Sequence, residues 1–135
     1  MCGECCSGGE GFVLFNADEA AAIARRLGVP VERFLTEYTH DTEAGRSLRE
    51  VKTVHGLDCV FLDRATVPGK AVCSLYEDRP TQCRTFPFWP EHIQSRRSWQ
   101  RLGHACEGVN RGSFVPVEAI RLDRDRQRAA EINRT

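Results

Sequence analysis

At 135 residues, with 41% hydrophobic and 28% charged side chains, the chain has the composition of one folded domain with a modest core, which excludes disorder. Its 19 basic and 19 acidic residues cancel, and without a dense basic stripe nucleic acid is not expected as a partner. No apolar run is long enough to cross a bilayer, and Met1-Cys2-Gly3-Glu4-Cys5-Cys6 has neither the basic start nor the apolar stretch of a secretory signal, so a cytoplasmic location without membrane contact is expected.

In that compartment thiols stay reduced, and 7 cysteines are an odd number that a fully paired disulfide scaffold cannot accommodate. Clustered cysteines then point to metal or redox chemistry. The chain starts with such a cluster. Cys2, Cys5 and Cys6 lie in a glycine-rich loop ending at Gly11. Cys-x-x-Cys lets two sulfurs reach one metal while the backbone folds round it, and the same pair can form a redox couple. Cys6 adjoins Cys5, so the two point different ways; Cys6 is read either as a ligand of a second site or as a small buried residue.

Phe12–Phe15 is expected to be a short strand entering the core. Asn16-Ala17-Asp18-Glu19 is a capping box, which predicts a helix from Ala17 to about Leu27 with Ala20, Ile23, Ala24 and Leu27 inward and Gly28 as its stop. Pro30 opens a second helix with Val31, Phe34, Leu35 and Tyr38 at helical spacing. His40–Ser47 reads as a polar loop, and Leu48–His55 alternates weakly, as a strand would. His40 and His55 have no ligand spacing to anything nearby and read as surface imidazoles.

The stretch Cys59–Phe88 organises the rest. Val60-Phe61-Leu62 and Ala71–Tyr76 have strand composition. Val67-Pro68-Gly69-Lys70 between them has the Pro-Gly order of a type II turn. A hairpin here would bring Cys59 near Cys73. Pro80 breaks the second strand and sets Cys83 on a tight or single helical turn, while Glu77, Asp78 and Arg79 read as an ion-pair corner. Arg84–Pro90 is an irregular aromatic cover expected over the cysteine end of the hairpin, as a dry shell around a metal. His92–Leu102 should hold a short helix. Cys106, in a Gly-flanked loop, is a ligand candidate, and His104 is read as a ligand, an outer partner or a surface residue. Asn110–Ser113 is a linker into a terminal helix with Val117, Ile120 and Ala129 inward, and Arg121–Arg128 as a solvated face held by i,i+4 pairs.

Cys2-Gly-Glu-Cys5-Cys6, Cys59-Val-Phe-Leu, Cys73-Ser-Leu-Tyr-Glu-Asp-Arg-Pro80 and Cys83-Arg-Thr-Phe-Pro-Phe88, in this order, resemble the YkgJ-type cysteine-cluster family, whose members are described as zinc- or iron-chelating. Its signature is Cys-x2-Cys-x2-Cys-Cys, and related clusters occur attached to flagellin lysine methylases. The signature starts one cysteine earlier than Cys2, which leads to the expectation that Met1 is internal to it and that an eighth cysteine lies upstream. The resemblance implies metal ligation by Cys2, Cys5, Cys6, Cys59, Cys73 and Cys83, and Cys106 joins them as the candidate its loop suggests.

Three readings follow. The first is a metal-binding protein whose thiolates hold an iron–sulfur cluster, four-iron before other nuclearities, or zinc, with a protein redox partner. The second is a redox enzyme or the accessory module of a methylase; no catalytic triad, P-loop, dinucleotide fingerprint or HExxH supports an enzyme of its own. The third is a structural zinc-binding interaction domain. The expected architecture is α+β: a small antiparallel sheet built on the 59–76 hairpin, flanking helices, and cysteine loops at one end, in a single domain over residues 1–135.

Overall fold

Asn16 caps the first helix in the way its spacing to Glu19 requires. In the computed structural model, which describes residues 11–134, Glu19 N donates to Asn16 Oδ1 at 2.8 Å and Asn16 N donates to Glu19 Oε1 at 3.0 Å. Two N–H groups that no helical carbonyl can reach are thereby satisfied. Helix α1 runs over Ala17–Leu27 and ends at Gly28, whose φ of 69° is the left-handed conformation that a side chain disfavours. Helix α2 follows Pro30 over Val31–Tyr38. Ala20, Ile23 and Ala24 of α1 and Phe34 of α2 are buried together, with Leu27, Val31, Leu35 and Tyr38 packed against them.

The described residues up to Pro80 form one compact unit, and those from Thr81 a second. Beyond α2 the first unit departs from expectation. His40–Ser47 is no loop: β1 (Thr39–Thr42) and β2 (Gly45–Leu48) pair antiparallel, from Thr39 opposite Leu48 to Thr42 opposite Gly45. Its polar sequence conceals the hairpin because a hydroxyl stands in the core. Ser47 is fully buried; its Oγ accepts from Val13 N at 2.8 Å and lies 3.1 Å from Leu48 O, so its burial leaves nothing unsatisfied. Phe12–Phe15 contributes one bridge, Leu14 to Ser47, and not a strand.

Leu48–His55 is divided at Arg49. Strand β3 (Glu50–Thr53) turns through Val54-His55 into β4 (Gly56–Cys59), a second hairpin with Glu50 opposite Cys59. Arg49 leaves the ladder to donate to Thr36 O and Thr39 O, both at 3.2 Å, and Arg46 reaches Leu35 O at 3.3 Å. These two guanidinium groups satisfy carbonyls that the end of α2 leaves exposed. The third hairpin lies where it was expected but is shorter, β5 (Leu62–Asp63) against β6 (Val72–Cys73). Its Pro-Gly turn forms as the order predicts, with Gly69 at φ 73° and Lys70 N bonded to Val67 O at 3.1 Å. The class is α+β with small two-stranded antiparallel sheets and flanking helices, three separate ladders among the described residues in place of one.

The core of this unit joins α1 and α2 to the hairpins through Leu48, Cys59, Phe61 and Leu75. Tyr38 stacks between Phe34 and Phe61, at 6.2 and 5.3 Å between ring centroids. Tyr76–Asp78 is a 3-10 turn. Asp78 pairs with Arg26 of α1 at 3.1 Å, and Arg79 lies 4.1 Å over the Tyr76 ring. Of the expected Glu-Asp-Arg ion-pair corner, the aspartate forms its pair with Arg26 of α1.

The second unit is helical. Thr81–Thr85 forms α3, Pro90–Ile93 α4, Arg96–Leu102 α5 and Val117–Arg134 α6. The short helix expected within 92–102 is α5, which starts where Ser95 accepts from Ser98 N at 3.1 Å and caps it. Helix α6 faces inward differently from its apolar pattern. Val117 and Ala129 are exposed, Ile120 is half-buried, and Gln127 is buried at 3% exposure. Its Oε1 lies 3.2 Å from Thr85 Oγ1 and its Nε2 donates to Glu131 at 3.0 Å. The charged face pairs Asp123 with Arg126 and Arg124 with Asp125, at spacings of three and one and not the expected four.

Candidate metal centre

Cys59 ends β4. The ladder fixes its backbone opposite Glu50, and the next amide, Val60 N, donates to Arg49 O at 2.9 Å. The residue is 8% exposed, within the apolar cluster of α1, α2, Phe61 and Leu75. Asp58, on the other side of the peptide, is also buried. Arg64 Nε donates to Asp58 Oδ2 at 2.8 Å and Arg64 Nη2 to Oδ1 at 3.2 Å, a two-pronged pair that planar guanidinium and carboxylate groups favour. Thr53 Oγ1 adds a bond to Oδ2 at 3.3 Å. The hydrogen bond to this carboxylate raises the affinity of Arg64 for its proton.

Cys73 is half-buried and packs against the same apolar cluster. It stands opposite Leu62, not Cys59, so the two thiols belong to different hairpins; this corrects the expected arrangement. Ser74 holds its position twice over: both its N and its Oγ donate to Phe61 O at 2.9 Å. Arg26 Nε donates to Ser74 O at 3.2 Å while its Nη1 takes Asp78. A residue three turns up α1 thus grips the peptide that follows Cys73.

In the second unit Cys83 sits at the middle of α3, the single helical turn expected for it, and is half-buried. Trp89 Nε1 donates to Gln82 O at 2.8 Å, next to Cys83. The aromatic stretch is ordered by its own contacts: Phe86 meets Trp89 edge-on at 5.2 Å, Trp89 stacks on His92 at 5.1 Å, and Phe88 stacks on Trp99 at 5.9 Å. Cys106 follows α5, with its N–H bonded to Leu102 O at 2.9 Å, and is 8% exposed. A side chain added at Gly108 would first touch its Sγ, at 3.7 Å. His104 is exposed at the end of α5. His55 is exposed in the β3–β4 turn. His40 differs from the expected surface imidazole, since its Nδ1 is buried without a hydrogen-bond partner among the described residues.

Cys59, Cys73, Cys83 and Cys106 are outside any disulfide. Sulfur donors, two of them buried, suit zinc and iron and are poor ligands for magnesium or calcium. Cys2, Cys5 and Cys6, with their glycine-rich loop, lie outside the described residues. Among the described residues no three His, Cys, Asp or Glu side chains come together as a metal-holding group. No described helix is long and apolar enough to cross a membrane. Sequence reasoning missed Asp58, Arg64, Arg26 and Ser74, because no local spacing links an aspartate or serine to an arginine in another element.

Two comparisons with known proteins bear on the chemistry. Residues 1–107 match the CxxCxxCC family model, described as "Putative zinc- or iron-chelating domain". That span carries every cysteine of the chain. No solved structure matches the chain.

Proposed function

The chain belongs to the CxxCxxCC family of zinc- or iron-chelating domains, and from that premise we propose that its cysteines hold an iron–sulfur cluster through their thiolates and serve electron transfer to a protein partner. The ligands come from Cys2, Cys5, Cys6, Cys59, Cys73, Cys83 and Cys106. The observation that carries the reading is the setting of Cys59: a thiol at a strand end, hydrogen-bonded on both sides along the backbone and buried in an apolar cluster. A bound cluster supplies one-electron chemistry at a potential set by solvent exposure and hydrogen bonding. The chain's own residues do the rest. Phe61, Leu75 and Phe34 keep water from Cys59, and the ladders and Ser74 hold Cys59 and Cys73 at fixed places on the surface of the core.

Zinc is the second reading. A sulfur-only donor set with rigid backbone supports suits a closed, four-coordinate structural site equally well. In that case the domain is an interaction module, in the cytoplasm and free-standing or attached to an enzyme such as a methylase. Anaerobic purification followed by a visible spectrum and analysis for iron, zinc and acid-labile sulfide separates the two. A brown protein with a broad band near ~400 nm and iron matched by sulfide supports the cluster. A colourless protein with stoichiometric zinc replaces it with the zinc site, and a chain that takes up neither metal overturns both.

A further inference from the structure

Between Asp58 and Arg64 the chain makes a closed loop that carries Cys59 and pairs through Leu62 with Cys73, the two described thiols before Pro80. Cys59 is its second residue. Leu62, three residues on, pairs with Cys73, and Phe61 O is held from the Cys73 side by both donors of Ser74. Arg64 then returns to the start and grips the Asp58 carboxylate with two nitrogens. Past the grip, Asp63 Oδ1 accepts from Ala65 N at 2.8 Å and Thr66 N at 3.1 Å, which fixes the direction in which the chain leaves.

The Asp58–Arg64 pair is unlike the other ion pairs. Its carboxylate is buried, whereas the Arg33–Glu37 and Asp41–Arg46 pairs are open to solvent. Exposed pairs contribute little, while removing one partner of a buried pair leaves an uncompensated charge and forces the backbone to rearrange. The backbone that would rearrange here carries Cys59.

We infer that Arg64, acting through Asp58, is a positioning residue that sets the direction of the Cys59 thiolate relative to Cys73, so that the two sulfurs meet a metal without reorganisation. The inference rests on the metal-binding reading above. Outer groups that orient a ligand change metal affinity by roughly 10–100-fold when they are removed.

The test uses the full chain, reduced and metal-free, with cobalt(II) as a spectroscopic probe of thiolate coordination. Wild type is compared with Arg64→Ala, Arg64→Lys and Asn16→Ala. The last weakens a helix cap far along the sequence from either thiol and controls for loss of stability alone. Unfolding midpoints of the metal-free proteins are measured alongside.

The expected result is that Arg64→Ala binds cobalt at least about tenfold more weakly with a shifted visible band. Arg64→Lys, keeping the charge but losing the two-pronged geometry, should recover part of the affinity. Asn16→Ala should lower the midpoint and leave the band and the affinity as in wild type. The inference is overturned if Arg64→Ala matches wild type in band and affinity, or if the affinities of all three variants simply follow their midpoints. A wild-type chain that takes up no cobalt, zinc or iron overturns the metal reading and this inference with it; uptake by wild type with no effect of Arg64 overturns this inference alone.

Discussion

Phe34 is fully buried and meets Phe15 at 5.6 Å and Tyr38 at 6.2 Å between ring centroids. Helical spacing was enough to place it inward, because a helix repeats its face whatever surrounds it. Phe34→Ala should cost about 3–5 kcal/mol, since the cavity left between three elements cannot collapse. Phe34→Leu should cost well under half of that, and urea titration of both variants measures the difference. Asp63 shows the electrostatic counterpart. The Thr66 hydroxyl, then the amides of Ala65 and Thr66, hold its carboxyl below the ordinary value. A carboxylate whose folded value is depressed stabilises the fold above its unfolded value of 3.8, and that stabilisation disappears as pH falls through the folded value. Asp63→Asn should therefore lower the unfolding midpoint of the metal-free chain at neutral pH and converge with wild type as pH falls through the depressed folded value, which thermal melts from neutral into acid will show. Neither Asp63 nor the Asp58–Arg64 pair was legible in advance, because a short turn and a pair spanning two hairpins leave no periodic trace.

Among the elements, α1 was read with its cap and stop, because both signals are local: Asn16 and Glu19 are one turn apart and Gly28 follows directly. Asn16→Ala should destabilise the protein by about 1 kcal/mol, with Asn16→Ser close to neutral, as read from denaturant midpoints. The hairpins were harder. The β1–β2 ladder was hidden by its polarity, since Ser47 and Thr39 are buried where apolar residues would be expected. The β3–β4 ladder was hidden by a turn, Val54-His55, that has none of the usual Asn-Gly or Asp-Gly chemistry. Cys59 was consequently assigned to the wrong hairpin. Pro68-Gly69 was recognised correctly because that order dictates the turn regardless of context. In α6 the apolar pattern misled, as Gln127 and not Ala129 turns inward, drawn by Thr85 of α3.

For the molecule taken whole, the family assignment is the firmest result, a zinc- or iron-chelating domain over residues 1–107. If the thiolates carry metal, removing it with a chelator should lower the thermal midpoint, and restoring the metal should recover it. A ligand at 1,000 times its dissociation constant contributes about 4 kcal/mol to folding, a shift that scanning calorimetry resolves easily. An unchanged midpoint after the metal is stripped would show that the site contributes nothing to the fold.

The order of residues along the chain was enough for the cysteine inventory, the membership that it signals, helices α1 and α2, the Pro-Gly turn and the α+β class. Each of these depends on residues that are neighbours along the chain or repeat at a fixed period. Only the tertiary structure decided that three short ladders replace one hairpin, that Cys59 and Cys73 sit on different ones, and that Arg64 and Arg26 brace the peptides beside them. Those features arise from contacts between residues whose separation in sequence follows no rule, and from polar groups whose burial depends on partners supplied by other elements.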